Sequence, residues 1–419
     1  MTYSEQILQK IEAGKLDQIQ ELIDQAVQKD SKEYLLALIN QLFYLGFLEE
    51  AKKIIQKLQQ QGDHDLQYNL TLAEIAIEDG DLDQALDYLA MIPKDDDNYV
   101  ASLVITADIY QVLGIPEVSI QKLKEAIELS PDDDILVFAL AELYYHIGEY
   151  EQAVPRYQKL LNDGQQNITD ISINERLGTS LSILGDFEEA IPYLEASLEE
   201  NESDDQLFYL GYTYLQLGEN EKAIHLFERL VELNDTYQSV YLYLAMAYEK
   251  EERLDEALAT AEKGLTIDKY QSRLYQMIAK IKASQGEMAE AEQYLNKAIS
   301  YDQGETARQD LADLYVKQGE YEQAINVINQ MQELDGFAYW TLAQSYRALE
   351  NDAKAMQYYT DAAQELADQL DFMRDYGLYL REIGQLDQSK HYLEHYMAHV
   401  ADDYEIEELL QQMDDEFNF

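Results

Sequence analysis

At 419 residues the chain is longer than one hydrophobic core usually grows, so its length predicts several domains or a repeat array. Its 83 Asp and Glu against 30 Lys and Arg leave a formal charge of −53, a field that repels nucleic acid and anionic lipid and excludes both as partners. Apolar residues at 47% argue against disorder, and 0 cysteines exclude disulfides, thiolate metal sites and a cysteine nucleophile.

The chain opens with MTYSEQILQKIEAG, which is polar within a few residues and lacks the basic-then-apolar pattern of a secretory leader. No later stretch approaches ~18 uninterrupted apolar residues, so a cytoplasmic protein is expected. GEYEQA at 148–153 recurs letter for letter at 319–324. Aligned on its glycine, similar turns fall at Gly14, Gly46, Gly80, Gly114, Gly148, Gly185, Gly218, Glu252, Gly286, Gly319, Glu350 and Gly384, with 34 residues the commonest step. Five residues after each turn stands a small side chain, from Ala51 and Ala85 through Ala324 to Ser389, with Ile19 the exception. Seven before it stands another, from Ala73 and Ala107 to Gly377. Leucine recurs eight before the turn (Leu140, Leu210, Leu342), an aromatic four before (Tyr144, Tyr248, Tyr346) and an apolar residue nine after (Leu89, Leu194, Phe227). This spacing predicts helix, tight turn and second helix in every unit, with small residues letting the two helices cross closely. A lone hairpin would leave an apolar face bare, so the units must stack.

In chain order, the hairpin around Gly14 is the weakest. One step lengthens to 37 residues and holds LNDGQQNITD at 161–170, a polar stretch expected as a longer loop and hinge between an N-terminal array, 1–163, and a C-terminal array, 164–400. Another shortens to 31 residues and holds LDGF at 334–337. After His399, helical spacing at Ile406, Leu409, Leu410 and Met413 predicts a capping helix over 401–413, followed by an acidic tail, DDEFNF, at 414–419.

These repeats resemble the tetratricopeptide repeat across nearly the whole chain, in the period, the leucine and small-residue pair, the aromatic, the turn glycine and the alanine. Departures are Glu252 and Glu350 in place of the turn glycine, and a junction proline that is clear only at Pro131. As a whole the chain resembles acidic, all-repeat proteins of Gram-positive bacteria. The resemblance implies an all-α fold, a right-handed α-solenoid superhelix of about twelve tetratricopeptide-like hairpins with a C-terminal capping helix. It also implies a non-enzymatic scaffold that binds a peptide or protein segment along the first helices of successive hairpins.

Few residues suggest chemistry. His391, His395 and His399 form an i, i+4, i+8 row, in which an adjacent pair has zinc-ligand spacing. The outer two stand too far apart to share one ion, and the row's place near a helix C-terminus favours an exposed row over a metal site. Asp95–Asp97 and Asp132–Asp134 lack the alternating ligands of a calcium loop and are expected to cap helices. No phosphate-binding glycine loop, nucleophile elbow or HExxH helix occurs, so neither enzyme chemistry nor a cofactor is expected.

In the resembled family, residues ten, six and three before each turn face the groove. Here those offsets hold Leu70, Val104 and Phe138, then Glu74, Asp108 and Glu142, then Ile77, Gln111 and Tyr145. Later hairpins place Phe208, Tyr212, Leu242 and Met246 there, then Lys280, Trp340, Arg347, Arg374 and Arg381. The expected partner is a basic, apolar protein segment at the acidic end, with carboxylates held at the cationic end and self-association through the tail as a further form. The same residues also fit packing between first helices, with the arginines balancing aspartates such as Asp371 and Asp375. The family's chaperone clamp of Lys, Asn and Arg is not completed around Asn40 and is not expected. Two other functions fit the composition: an acidic chaperone or decoy acting through bulk charge, and a metal protein or enzyme using the histidine row.

Overall fold

In the computed structural model the described residues, 1–16, 19–301, 305–400 and 402–417, form twelve helical hairpins and one closing helix. The chain divides into two compact units, Met1–Tyr209 and Leu210–Phe419. The first contains α1 (Tyr3–Glu12) with α2 (Ile19–Lys29), α3 (Lys32–Tyr44) with α4 (Leu48–Gln60), and α5 (Gln67–Glu78) with α6 (Leu82–Ala90). It continues through α7 (Tyr99–Val112) with α8 (Pro116–Leu129), α9 (Asp134–His146) with α10 (Tyr150–Asn162), and α11 (Ile173–Leu184) with α12 (Phe187–Glu200). The division falls inside α13 (Asp204–Gln216), whose partner is α14 (Asn220–Leu233). The second unit goes on with α15 (Gln238–Lys250) and α16 (Leu254–Ile267), α17 (Ser272–Ser284) and α18 (Met288–Tyr301), and α19 (Thr306–Gln318) and α20 (Tyr321–Ile328). It ends with α21 (Gly336–Ala348) and α22 (Asp352–Leu366), α23 (Leu370–Glu382) and α24 (Leu386–Met397), and α25 (Tyr404–Phe417).

The turn inside each hairpin is set by its left-handed residue. All ten aligned glycines have φ between +67° and +89°. At Gly148 the glycine N–H donates to Tyr145 O at 3.1 Å and the Glu149 N–H to Tyr144 O at 2.9 Å, which closes the helix end and redirects the chain. Glu252 and Glu350 adopt the same conformation at φ +58° and +57° with the same pair of hydrogen bonds. The repeat geometry there overrides the side chain's preference.

The recurring spacing of small residues has a direct cause. A Cβ at Gly178, Gly211 or Gly377 would stand 2.6–2.7 Å from Leu194, Phe227 or Leu393, the apolar residue nine after the same turn. Seven before and nine after are therefore one contact between the two helices of a hairpin. The alanines five after the turn, including Ala51, Ala153 and Ala324, are 0% exposed, and Ser119 and Ser389 fill that position equally buried. First helices also pack on the next first helix, as α1 on α3, α3 on α5 and α5 on α7, and in the second unit α17 on α19 and α19 on α21.

Three expectations are refined. The stretch 161–170 lies inside the first unit, and instead of an irregular loop it contributes to a small hairpin of β1 (Asn167–Ile168) and β2 (Ile171–Ser172), turned through Thr169 and Asp170 at φ +48° and +66°. Two successive left-handed residues are the geometry of a tight hairpin turn, here without glycine. The short step at 334–337 follows from the 8-residue α20 and from Gly336, where a Cβ would meet Leu366 Cγ at 2.8 Å. Helix α25 seats Ile406, with Leu409 and Leu410 beside it, against the group containing Met373, Leu393 and Tyr396, and Met413 is likewise 0% exposed. Its helix runs to Phe417, within the stretch expected as a tail, whereas Asn418 and Phe419 lie outside the described residues.

Candidate functional site

Along the first helices a ladder of polar side chains links one hairpin to the next. In the first unit Arg176 of α11 donates through Nε to Glu142 of α9 at 3.0 Å, Tyr157 also donates to Glu142, and Arg176 lies 4.5 Å over the Tyr145 ring. In the second, Lys280 of α17 pairs with Glu249 of α15 at 2.7 Å, and Gln276 donates to Asp310 of α19 at 2.9 Å. Gln309 and Thr341 both donate to Asp313, at 2.8 and 2.9 Å. Asp375 of α23 accepts from Trp340 Nε1 at 2.6 Å, Tyr359 at 2.8 Å, Gln344 at 3.1 Å and Arg347 at 2.8 Å. Such a ladder fixes the register of adjacent hairpins, because each carboxylate is gripped from the neighbouring helix.

Two rungs are missing. Glu74 of α5 and Asp108 of α7 have no hydrogen-bond or ion-pair partner among the described residues. Burial raises both carboxyls above the usual range, even though Asp108 stays exposed at its surface. Protein packed around these groups strips hydration without supplying a donor in its place. Half-buried Leu70, Ile77 and Val104 occupy the flanking offsets. The face therefore presents two uncompensated acids among apolar side chains.

The remaining sequence candidates sit in different surroundings. Phe138 is 7% exposed and packed within its unit. Burial pushes the Tyr145 phenol up to about 12, so it stays a neutral donor. Phe208 is half-buried, with its ring 5.5 Å from that of Tyr209. In the second unit Tyr212 stands edge-on to Tyr243 at 5.3 Å, and Leu242 and Met246 are half-buried. Arg347 also binds Glu382, and Arg374 donates to Asp403 at 2.9 Å and Glu405 at 2.7 Å. Arg381 has no ion pair among the described residues. Arg176 and Asp375 were not singled out as face residues because both stand nine before a turn, one place off the offsets used. In both cases the ninth-position side chain meets the sixth-position side chain of the preceding hairpin, Glu142 for Arg176 and Gln344 for Asp375.

His391, His395 and His399 are all exposed, with His399 Nδ1 3.0 Å from the carbonyl of His395. Among the described residues no group of three His, Asp or Glu is placed to hold a metal ion, and no helix is long and apolar enough to cross a membrane. Asp133 caps α9 by accepting from the Ile135 N–H, whereas in the other acidic run Asp96 holds the backbone and side chain of Asn98 just ahead of α7.

Comparison with known proteins fits this architecture. Residues 111–165 match the family of YpiA-like tetratricopeptide repeats and residues 337–403 its C-terminal repeats. TPR repeat-containing protein YpiA of Bacillus subtilis is 33% identical over 427 residues, covering 100% of this chain and 99% of that one. Lipopolysaccharide assembly protein B of Escherichia coli is 28% identical over 39% of this chain and 44% of its own. Among solved structures, the Cut9–Hcn1 hetero-tetramer of the APC/C aligns over 98% of this chain and 95% of that one at 11% identity and a TM-score of 0.48. Tetratricopeptide-repeat proteins generally mediate protein–protein interactions. With a relative matched from end to end at this identity, the chain belongs to the YpiA-like tetratricopeptide-repeat family.

Proposed function

We propose that this protein is a non-catalytic scaffold whose first-helix face in the first unit holds a basic, apolar protein segment. A lysine or arginine of the partner pairs with Glu74 and Asp108, and its apolar side chains rest on Leu70, Ile77 and Val104. The observation that supports this most strongly is the pair of carboxylates without a partner among the described residues, whereas Glu142 in the same unit, and Asp310, Asp313 and Asp375 on first helices of the second unit, are all gripped by neighbouring helices. An acid desolvated without a partner weakens the fold, and an incoming cation reverses that penalty.

The test uses the full chain and a labelled amphipathic peptide rich in lysine and leucine, followed by fluorescence anisotropy. E74Q/D108N should weaken binding roughly tenfold or more, the equivalent of about one charge-assisted hydrogen bond. E188Q/E189Q, which removes the same charge from exposed positions at the start of α12, should leave binding nearly intact. Equal weakening by both double variants would instead favour capture of basic proteins by the −53 field alone.

A further inference from the structure

We propose that a cleft in the second unit, between the starts of α15 and α17, binds a peptide segment in which a carboxylate side chain stands beside an aromatic one. The cleft has a volume of about 380 Å³ and is lined by Leu242, Tyr243, Tyr270, Ser272, Arg273 and Tyr301, among others. That is room for a few side chains rather than a folded domain. Tyr270 and Tyr301 remain 61% and 43% exposed, and their rings meet edge to face at 5.3 Å. Tyr301 is braced in turn by Tyr275 at 5.5 Å. The two exposed rings thus form a fixed aromatic corner, the kind of surface that gains most from covering by another ring.

Arg273 supplies the charge. It is exposed, and among the described residues it makes no ion pair or hydrogen bond. In a chain with 83 carboxylates and 30 basic side chains, a guanidinium without an acid beside it runs against the composition. Arg176, Arg253, Arg347 and Arg374 are all taken by carboxylates of the chain itself. The open fork of Arg273 is complementary to a planar carboxylate, which accepts two parallel N–H bonds. Rings and guanidinium share one cleft, so the ligand needs its acid and its aromatic group close together in sequence.

The field of the whole chain opposes an anionic ligand, so affinity here comes from contact rather than steering. Salt screens charges beyond about 10 Å at 0.1 M and leaves a contact pair largely intact. Binding of an acidic probe should therefore survive moderate salt. Binding of a basic probe to the first unit should lose, under the same change, only the part contributed by the field of the whole chain.

The experiment titrates full-length protein with the end-blocked, labelled peptide Gly-Asp-Glu-Phe-Asp-Phe-Gly and with its Asn/Gln counterpart. Wild type should bind the acidic probe at least tenfold more tightly than the amide probe. R273Q and Y270A should each remove tenfold or more, and R273K, which keeps the charge but loses the fork, should fall between. R156Q, at an arginine of the first unit that pairs with no carboxylate among the described residues, should change nothing, nor should E74Q/D108N, so this site and the first-unit face fail independently. Circular dichroism melts check that each variant remains folded. Equal affinity for the two probes, an unaffected R273Q, or displacement of the probe by millimolar inorganic phosphate would overturn the proposal.

Discussion

Glutamate holds a left-handed backbone at two of the twelve turns, and replacing it by glycine isolates the strain of that conformation. A non-glycine residue there costs about 1–2 kcal/mol. Glycine's greater freedom in the unfolded chain takes back about 0.5–1 kcal/mol. Both turns already make the hydrogen bonds of their glycine counterparts, so no contact is gained. E252G and E350G should thus each stabilise by roughly 0.5–1 kcal/mol, and additively, since two hairpins separate the sites. The reverse change, G148A, meets no atom within 4 Å of the added Cβ, so its loss of about 1 kcal/mol would be strain alone. Each glutamate change also removes one of 83 acids from a self-repelling chain, and E252Q measures that part. Urea denaturation followed by emission of Trp340, the one tryptophan and a reporter inside the second unit, gives the midpoints. A lower midpoint for E252G, or a gain fully reproduced by E252Q, would refute the assignment of strain.

D375A should destabilise the second unit by roughly 2–4 kcal/mol, because Trp340, Gln344, Arg347 and Tyr359 all lose their acceptor, and Trp340 emission should shift at once. I406A should cost about 2–4 kcal/mol through the cavity it leaves under α25, read by the same emission in urea. Between the ordinary carboxylate range and the raised values of Glu74, Asp108, Asp310 and Asp313, the folded state holds more protons than the unfolded one, so stability should fall as pH rises through that window. Further down, hydrogen bonds from Lys32, Lys94 and Arg374 hold Asp65, Glu125 and Asp403 below their usual range, and stability should fall again as these protonate. Thermal melts across mildly acidic pH should therefore show a maximum below neutrality, and E74Q/D108N should flatten the slope above it.

The hairpins were legible because each repeated position answers to one physical demand. Turn residues need positive φ, the position seven before needs a small side chain under the residue nine after, and the position five after needs another in the core. The tight hairpin at 167–172 was not legible, because Thr169 and Asp170 replace the glycine or asparagine that usually announces it. Nor could sequence separate free from paired charges on the first-helix face. Glu74, Asp108 and Glu142 share one offset, and Glu142 differs through Arg176, 34 residues further along, and through Tyr157 of its own hairpin. Pairing between hairpins is a property of neighbours in space, and a periodic alignment gives every hairpin the same neighbours.

That distinction bears on how so acidic a chain can be selective. If the −53 field alone attracted partners, acids on every face would contribute alike, and desolvating any of them would only harm the fold. Glu74 and Asp108 are partly desolvated and, among the described residues, unpaired, whereas the acids nearest Arg347 and Arg374 are compensated by the chain itself. The first arrangement weakens the folded protein unless a cation from elsewhere is present, while the second is complete without one. Neutralising Glu74 and Asp108 should thus raise the melting temperature and lower affinity for a basic segment together. A structural role for the two acids predicts that both quantities fall, and a role in bulk charge alone predicts no more change than E188Q/E189Q produces.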